Sequence, residues 1–134
     1  MIVVDANVMV MALSSSSVQG DTARAAILAD DSWAAPAHMP LEVLRTLHKA
    51  VLGNKLSAQD ADAAFGALTA MQIDYVGTDT ALLQAVWAVR HNVSAYDAAY
   101  LAVAAIYNAP VVTFDARFAK AAEQAMPDIR LTLL

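Results

Sequence analysis

The sequence contains no cysteine, which excludes a disulfide framework, a thiolate metal site and thiol chemistry. Charge is scarce: Asp, Glu, Lys and Arg make up 16% of the 134 residues, and eight basic residues face thirteen acidic ones for a net charge of −5. Proteins that hold nucleic acid passively neutralise phosphates with a positive excess. The balance here argues against such a binder, unless some of the acids carry cations, which invert the local charge. Glutamate is almost missing, with only Glu42 and Glu123. There is no long hydrophobic run either: the longest, Ala98 to Tyr107, is about half the ~20 residues that cross a bilayer. The first apolar run has no basic segment before it and is interrupted by Asp5, so no secretory signal is expected. These absences lead us to expect a soluble, cytoplasmic protein, with residues 1–134 forming a single domain. What remains is strongly apolar, at 59% hydrophobic residues, far too apolar for a disordered chain.

Coarse patterning alternates strands and helices. Ile2-Val3-Val4 is β-branched and reads as a buried strand ending at Asp5. Helices are expected over Asn7–Leu13 and Asp21–Ala29, with the serine run Ser14–Ser17 as a short loop between them. A short strand at Ser32–Ala35 is followed by a helix from Pro40 to Leu52, closed by Gly53-Asn54. Ser57 caps a helix running to about Met71, with Asp60 as its capping-box partner. A strand at Ile73–Val76, helices over Thr78–His91 and Ser94–Tyr107, a strand at Val111–Thr113, a helix over Asp115–Met126 and a strand at Arg130–Leu134 complete the chain. The Ser94–Tyr107 helix is apolar nearly all round and is expected to be buried. Such alternation implies a parallel sheet covered on both faces, and ligand sites in these folds lie at the carboxyl ends of the strands.

Four carboxylates stand apart on this apolar background: Asp5, Glu42, Asp97 and Asp115. Each sits at a strand end or in the first turn of a helix. Taken singly, each reads as a helix cap or a partner of the helix dipole. Together, on helix starts that face one crevice, they would repel. Two unit charges 4 Å apart cost about 4 kcal/mol at an effective dielectric of 20, a large sum for a domain whose whole stability is roughly 5–15 kcal/mol. A divalent cation removes that repulsion. An all-oxygen donor set suits Mg²⁺ or Mn²⁺ over zinc, and one or two such ions can activate water and stabilise the leaving oxygen of a phosphodiester.

The residues around these acids resemble those of PIN-domain ribonucleases, most closely VapC-type toxins of bacterial toxin–antitoxin pairs. Ser94-Ala-Tyr-Asp97-Ala-Ala-Tyr-Leu-Ala-Val-Ala is close to the family's Y-D-A-x-Y-L-A-x-A pattern. Val-Val-Asp5-Ala-Asn7 matches the opening motif, Val-Val-Thr113-Phe-Asp115-Ala-Arg-Phe the closing T-x-D motif, and Glu42-Val-Leu-Arg-Thr-Leu the less specific second acid. The resemblance spans essentially the whole chain. It implies a three-layer α/β/α PIN-like domain with a parallel central sheet, and a metal-dependent endoribonuclease acting on structured RNA such as tRNA. It further implies that Asp5, Glu42, Asp97 and Asp115 are the catalytic metal ligands, with Asn7 and Thr113 as supporting polar residues. A homodimer and a cognate antitoxin that blocks the site are implied as well.

Among the remaining polar residues, Arg45 and Lys49 share the helix face of Glu42, and Arg117 follows Asp115. All three are candidates to hold RNA phosphates; solvated helix surface is the bland alternative. His38, His48 and His91 have no metal-ligand spacing and read as ordinary polar residues. Tyr96, Tyr100 and Tyr107 recur at helical spacing, as core or dimer packing would require, rather than base stacking. Two rivals remain. One is a non-cleaving PIN-like module that binds RNA or protein. The other is a phosphoacceptor receiver domain, which needs an acidic pair after the first strand; here Asp5 is followed by Ala6.

Overall fold

A computed structural model describes residues 1–134. Strand β1 (Ile2–Val4) is buried along its whole length, as expected for three β-branched residues at the centre of a sheet. It is flanked by β2 (Trp33–Pro36) and β4 (Val111–Thr113), with β3 (Ile73–Val76) and β5 (Leu131–Leu133) at the edges. The order is β3-β2-β1-β4-β5 and every pairing is parallel.

Seven helices fill the connections: α1 (Ala6–Ser14), α2 (Val18–Leu28), α3 (Met39–Leu52), α4 (Ala58–Ala70), α5 (Thr80–Ala88), α6 (Ala95–Tyr107) and α7 (Ala116–Ala125). Parallel crossovers are right-handed. The path β1→β2→β3 therefore lays α1 to α4 on one face, and the return path β3→β4→β5 lays α5 to α7 on the other. Packing agrees: α1 contacts α2, α3 and α4, while α5 contacts α6, which lies along β1, β2 and β4. This is the expected three-layer α/β/α arrangement. The direction of winding reverses between β1 and β4, so the crevice beyond their carboxyl ends is the topological switch point, where ligands bind in such sheets. No helix is long and apolar enough to cross a membrane.

Two boundaries and one expectation of burial differ from the sequence pattern. Helix α2 begins at Val18, three residues before Asp21, because the last residue of the serine run, Ser17, caps it and accepts from Gly20 N at 3.4 Å. Gly20 hid this start by weakening the helical pattern. The glycine is required by the close approach of α1: a Cβ there would lie 2.2 Å from the Ser15 carbonyl oxygen. Helix α5 is shorter than Thr78–His91, starting after Asp79, whose side chain accepts from Leu82 N at 2.8 Å. Helix α6 is buried only from Ala98 to Ala104; its last turn emerges into solvent, with Ile106 60% exposed.

Candidate active site

Asp5 follows β1 and Asp115 follows β4 by two residues, so the sheet itself places both at the switch point. Glu42 lies in the first turn of α3 and Asp97 in the first turn of α6, on opposite faces of the sheet. All four line one cavity of about 480 Å³, together with Asn7 and Thr46. No lysine, arginine or histidine lines it. The convergence expected from four separated segments is therefore present, and it is uncompensated by any basic group in the cavity wall.

Thr113 is the hub beneath this cavity. It is fully buried at the end of β4. Its hydroxyl donates to Asp5 Oδ2 at 2.6 Å and accepts from Asp115 N at 3.0 Å and from Asn7 Nδ2 at 3.4 Å. Asn7 Oδ1 in turn accepts from Phe114 N at 3.2 Å. These bonds fix Asn7 and cross-link the ends of β1 and β4. Asn7 and Thr113 are thus placed around the acids, as the motifs led us to expect.

The capping alternative divides the four acids. Asp5 occupies the cap position of α1 but makes no side-chain cap bond, so capping does not explain a carboxyl that is only 7% exposed. At Asp97 the cap is Ser94, whose hydroxyl accepts from the Asp97 backbone at 3.3 Å, and the carboxylate is not needed for it. Asp115 is a true cap, with Oδ1 accepting from Arg117 N and Phe118 N at 2.9 and 3.0 Å. Its second oxygen makes no such bond, so capping and a ligand role are compatible there.

Burial and mutual repulsion perturb the acids. Burial pushes the Asp5 carboxyl up to about 6, against the pull of the Thr113 hydrogen bond and with help from the negative charges of Asp97 and Glu42. The Asp97 carboxyl is also raised, by burial first and then by Asp115 and Glu42, while Ser94 opposes the rise. Glu42 goes the other way. Burial alone would raise it, but His38 and the Tyr100 hydroxyl outweigh that and hold it below the usual carboxylate range.

From the sequence, His38 reads as an ordinary polar residue and Tyr100 as packing, and neither has a place beside Glu42. The Tyr100 hydroxyl donates to Glu42 Oε1 at 2.9 Å and accepts from Ala6 N at 3.3 Å. His38 Nε2 lies 2.9 Å from the same Oε1, without the alignment of a hydrogen bond. Of the three tyrosines spaced as for core or dimer packing, one belongs to the core of this chain. Only Tyr100 is buried, whereas Tyr96 is 65% and Tyr107 36% exposed, because α6 leaves the core at both ends. Nothing in helical spacing distinguishes a core tyrosine from one whose hydroxyl meets a carboxylate 58 positions away.

Of the basic candidates, Arg45 lines a second cavity that shares Glu42 with the first, alongside His38, Leu41 and Tyr96. Arg45, Lys49 and Arg117 are all exposed, and none enters the acidic cavity.

The donor set fits a hard divalent cation. It offers only oxygens, it is acidic without a balancing cation, and its most buried member resists ionising. As they stand, no three acid or histidine side chains close around a common point as a finished coordination shell. Mg²⁺ does not demand one, since it keeps several waters and is usually held by one or two carboxylates.

Residues 2–124 match the family model described as PIN domain. Ribonuclease VapC1 of Mycobacterium tuberculosis is 34% identical over 119 residues, covering 89% of each chain. Ribonuclease VapC3 of the same organism is 32% identical over 120 residues, 90% of this chain and 86% of its own. Among solved structures, Mycobacterium tuberculosis VapC20, described as a Sarcin-Ricin loop cleaving toxin, superposes with a TM-score of 0.70 at 20% identity, covering 90% of this chain and 95% of that one. A toxin–antitoxin complex from Klebsiella pneumoniae superposes with a TM-score of 0.69 at 17% identity, covering 96% and 95%. VapBC2 from Rickettsia felis, bound to a promoter DNA fragment, gives 0.69 at 13% identity, covering 99% and 98%. At these identities the structural likeness bears on the fold.

Proposed function

The chain belongs to the PIN-domain family, and from that premise we propose that it is a divalent-metal-dependent endoribonuclease, the toxin of a VapBC-type pair, acting on structured RNA such as tRNA. The carrying observation is the single cavity at the switch point, lined by Asp5, Glu42, Asp97 and Asp115 and by no basic side chain. The ribonuclease names of the Mycobacterium tuberculosis relatives support the reaction class.

The four acids are the residues that would hold Mg²⁺ or Mn²⁺. When bound, such a cation supplies an activated water and neutralises the charge that develops on the leaving oxygen of a phosphodiester. The chain's own part is positional. Thr113 and Asn7 keep Asp5 and the Asp115 backbone in register across two strands. Arg45, in the cavity that shares Glu42, and the exposed Lys49 and Arg117 are suited to hold RNA phosphates. The net charge of −5 otherwise repels RNA, so loading with cation favours substrate approach as well as chemistry.

An antitoxin partner, a homodimer and a cytoplasmic setting belong to the same proposal. The toxin–antitoxin likenesses support the antitoxin partner, and exposed apolar side chains on α3, α5 and α6, including Leu41, Trp87 and Tyr96, offer surface for either protein contact.

RNA incubated with the purified protein tests the activity. Cleavage should require Mg²⁺ or Mn²⁺, stop with EDTA and return on adding metal. Asp97→Asn should abolish it without lowering Tm, because the Ser94 cap uses the backbone of Asp97. RNA binding without cleavage would favour the non-cleaving module.

A further inference from the structure

Tyr100 lies three residues after Asp97 on α6, on the same side of the helix. It is completely buried, yet its hydroxyl is doubly engaged. It donates to Glu42 Oε1 of α3 at 2.9 Å and accepts from Ala6 N, the first residue of α1, at 3.3 Å. Ala6 directly follows Asp5. One hydroxyl therefore ties together the three helix starts that carry or adjoin Asp5, Glu42 and Asp97, across both faces of the sheet. His38 Nε2 approaches the same Glu42 oxygen at 2.9 Å, and its ring meets Tyr100 edge-on with centroids 5.5 Å apart. Glu42 Oε1 is thus held from two sides, and Oε2 is left without a protein partner.

Resting on the nuclease proposal above, we infer that Tyr100 is a positioning residue for the acidic cavity: with His38 as a second contact, it fixes the orientation of Glu42 relative to Asp5, so that one oxygen of Glu42 stays available for a divalent cation. A purely apolar packing role would not require the hydroxyl. Glu42 is on a long, rotatable side chain, and freezing it before the cation arrives removes an ordering cost from binding.

The experiment is Mn²⁺ binding to the RNA-free protein, read by the electron paramagnetic resonance signal of free Mn²⁺, in a double-mutant cycle of Tyr100→Phe and Glu42→Gln. Tyr100→Phe should weaken Mn²⁺ binding by about 10–100-fold, the range for outer-shell partners of metal ligands, and leave KM for RNA unchanged once Mn²⁺ is saturating. In the Glu42→Gln background the same substitution should change affinity by less than ~2-fold, within the tolerance of such cycles, because its effect runs through Glu42. Wild-type affinity in Tyr100→Phe, or an equal loss in both backgrounds, overturns the inference. If Tyr100→Phe does not fold, His38→Gln is taken through the same cycle, and an affinity unchanged there overturns the two-sided hold on Oε1. A wild-type protein that binds no Mn²⁺ overturns the nuclease proposal itself, a failure visible before any variant is made.

Discussion

Asp5→Asn should make the metal-free protein more stable while abolishing RNA cleavage. The Asp5 carboxyl is pushed from 3.8 up to about 6 in the fold. A rise of about two units, at 1.36 kcal/mol per unit, amounts to about 3 kcal/mol. The sign follows from proton binding. Between pH 4 and 6 the folded protein holds a proton on Asp5 that the unfolded chain releases, so stability falls as pH rises through that window and levels off above it. Asparagine is uncharged, carries the same acceptor for the Thr113 hydroxyl, and escapes the penalty. Allowing for solvent relaxation, the gain at pH 7.5 should be roughly 1–3 kcal/mol, which raises Tm by about 5–10 °C in a domain of this size. Below pH 4 the difference should shrink under about 1 kcal/mol, because wild-type Asp5 is then protonated in the fold and increasingly so in the unfolded chain. Differential scanning fluorimetry in EDTA across pH 3.5 to 8 reads this directly. Added Mn²⁺ should raise Tm of the wild type at pH 7.5 through binding to the folded state, and raise it much less in the variant. A destabilised Asp5→Asn at pH 7.5, or an offset that stays constant with pH, would refute the idea that Asp5 is an uncompensated buried charge.

Asp115→Ala and Asp115→Asn should separate capping from chemistry. Both lose cleavage, but only alanine, which removes the acceptor for Arg117 N and Phe118 N, should also cost about 1 kcal/mol in urea unfolding; equal destabilisation by the two would contradict this. Gly20→Ala would gain about 1 kcal/mol of helix propensity on an open surface. Here its Cβ would meet the Ser15 carbonyl at 2.2 Å, so α1 and α2 must separate, and a net loss of about 1–3 kcal/mol is expected. A stabilised variant by thermal melting would show that the α1–α2 approach is looser than described.

How much of this was legible in the sequence depended on whether the signal was local. Asp5, Asp97 and Asp115 follow strand ends or open helices, and both kinds of position are fixed by short-range pattern, so topology alone could carry them to one crevice. The capping alternative, equally local, was correct for Asp115 and for the neighbour of Asp97, but failed at Asp5, whose carboxylate makes no cap bond to α1 and accepts instead from Thr113. Tyr100 and His38 were out of range of such reasoning. Their partner, Glu42, is set by how α3 and α6 meet around the sheet, and the spacing of Tyr100 along α6 reports only that it faces inward. The start of α2 was obscured because Gly20, placed for a tertiary contact, opposes the helix it belongs to. Helix α6 ends at Tyr107 as its pattern indicates, but composition shows only an apolar surface, and it takes packing to show that burial runs from Ala98 to Ala104.

Anomalous scattering from a Mn²⁺-soaked crystal tests the central claim most directly. Density should lie in the cavity at the ends of β1 and β4, contacted by carboxylate oxygens drawn from Asp5, Glu42, Asp97 and Asp115, with the side chains closing on it from their present open arrangement. A cavity that stays empty at saturating Mn²⁺, or density only on other surfaces, would contradict it.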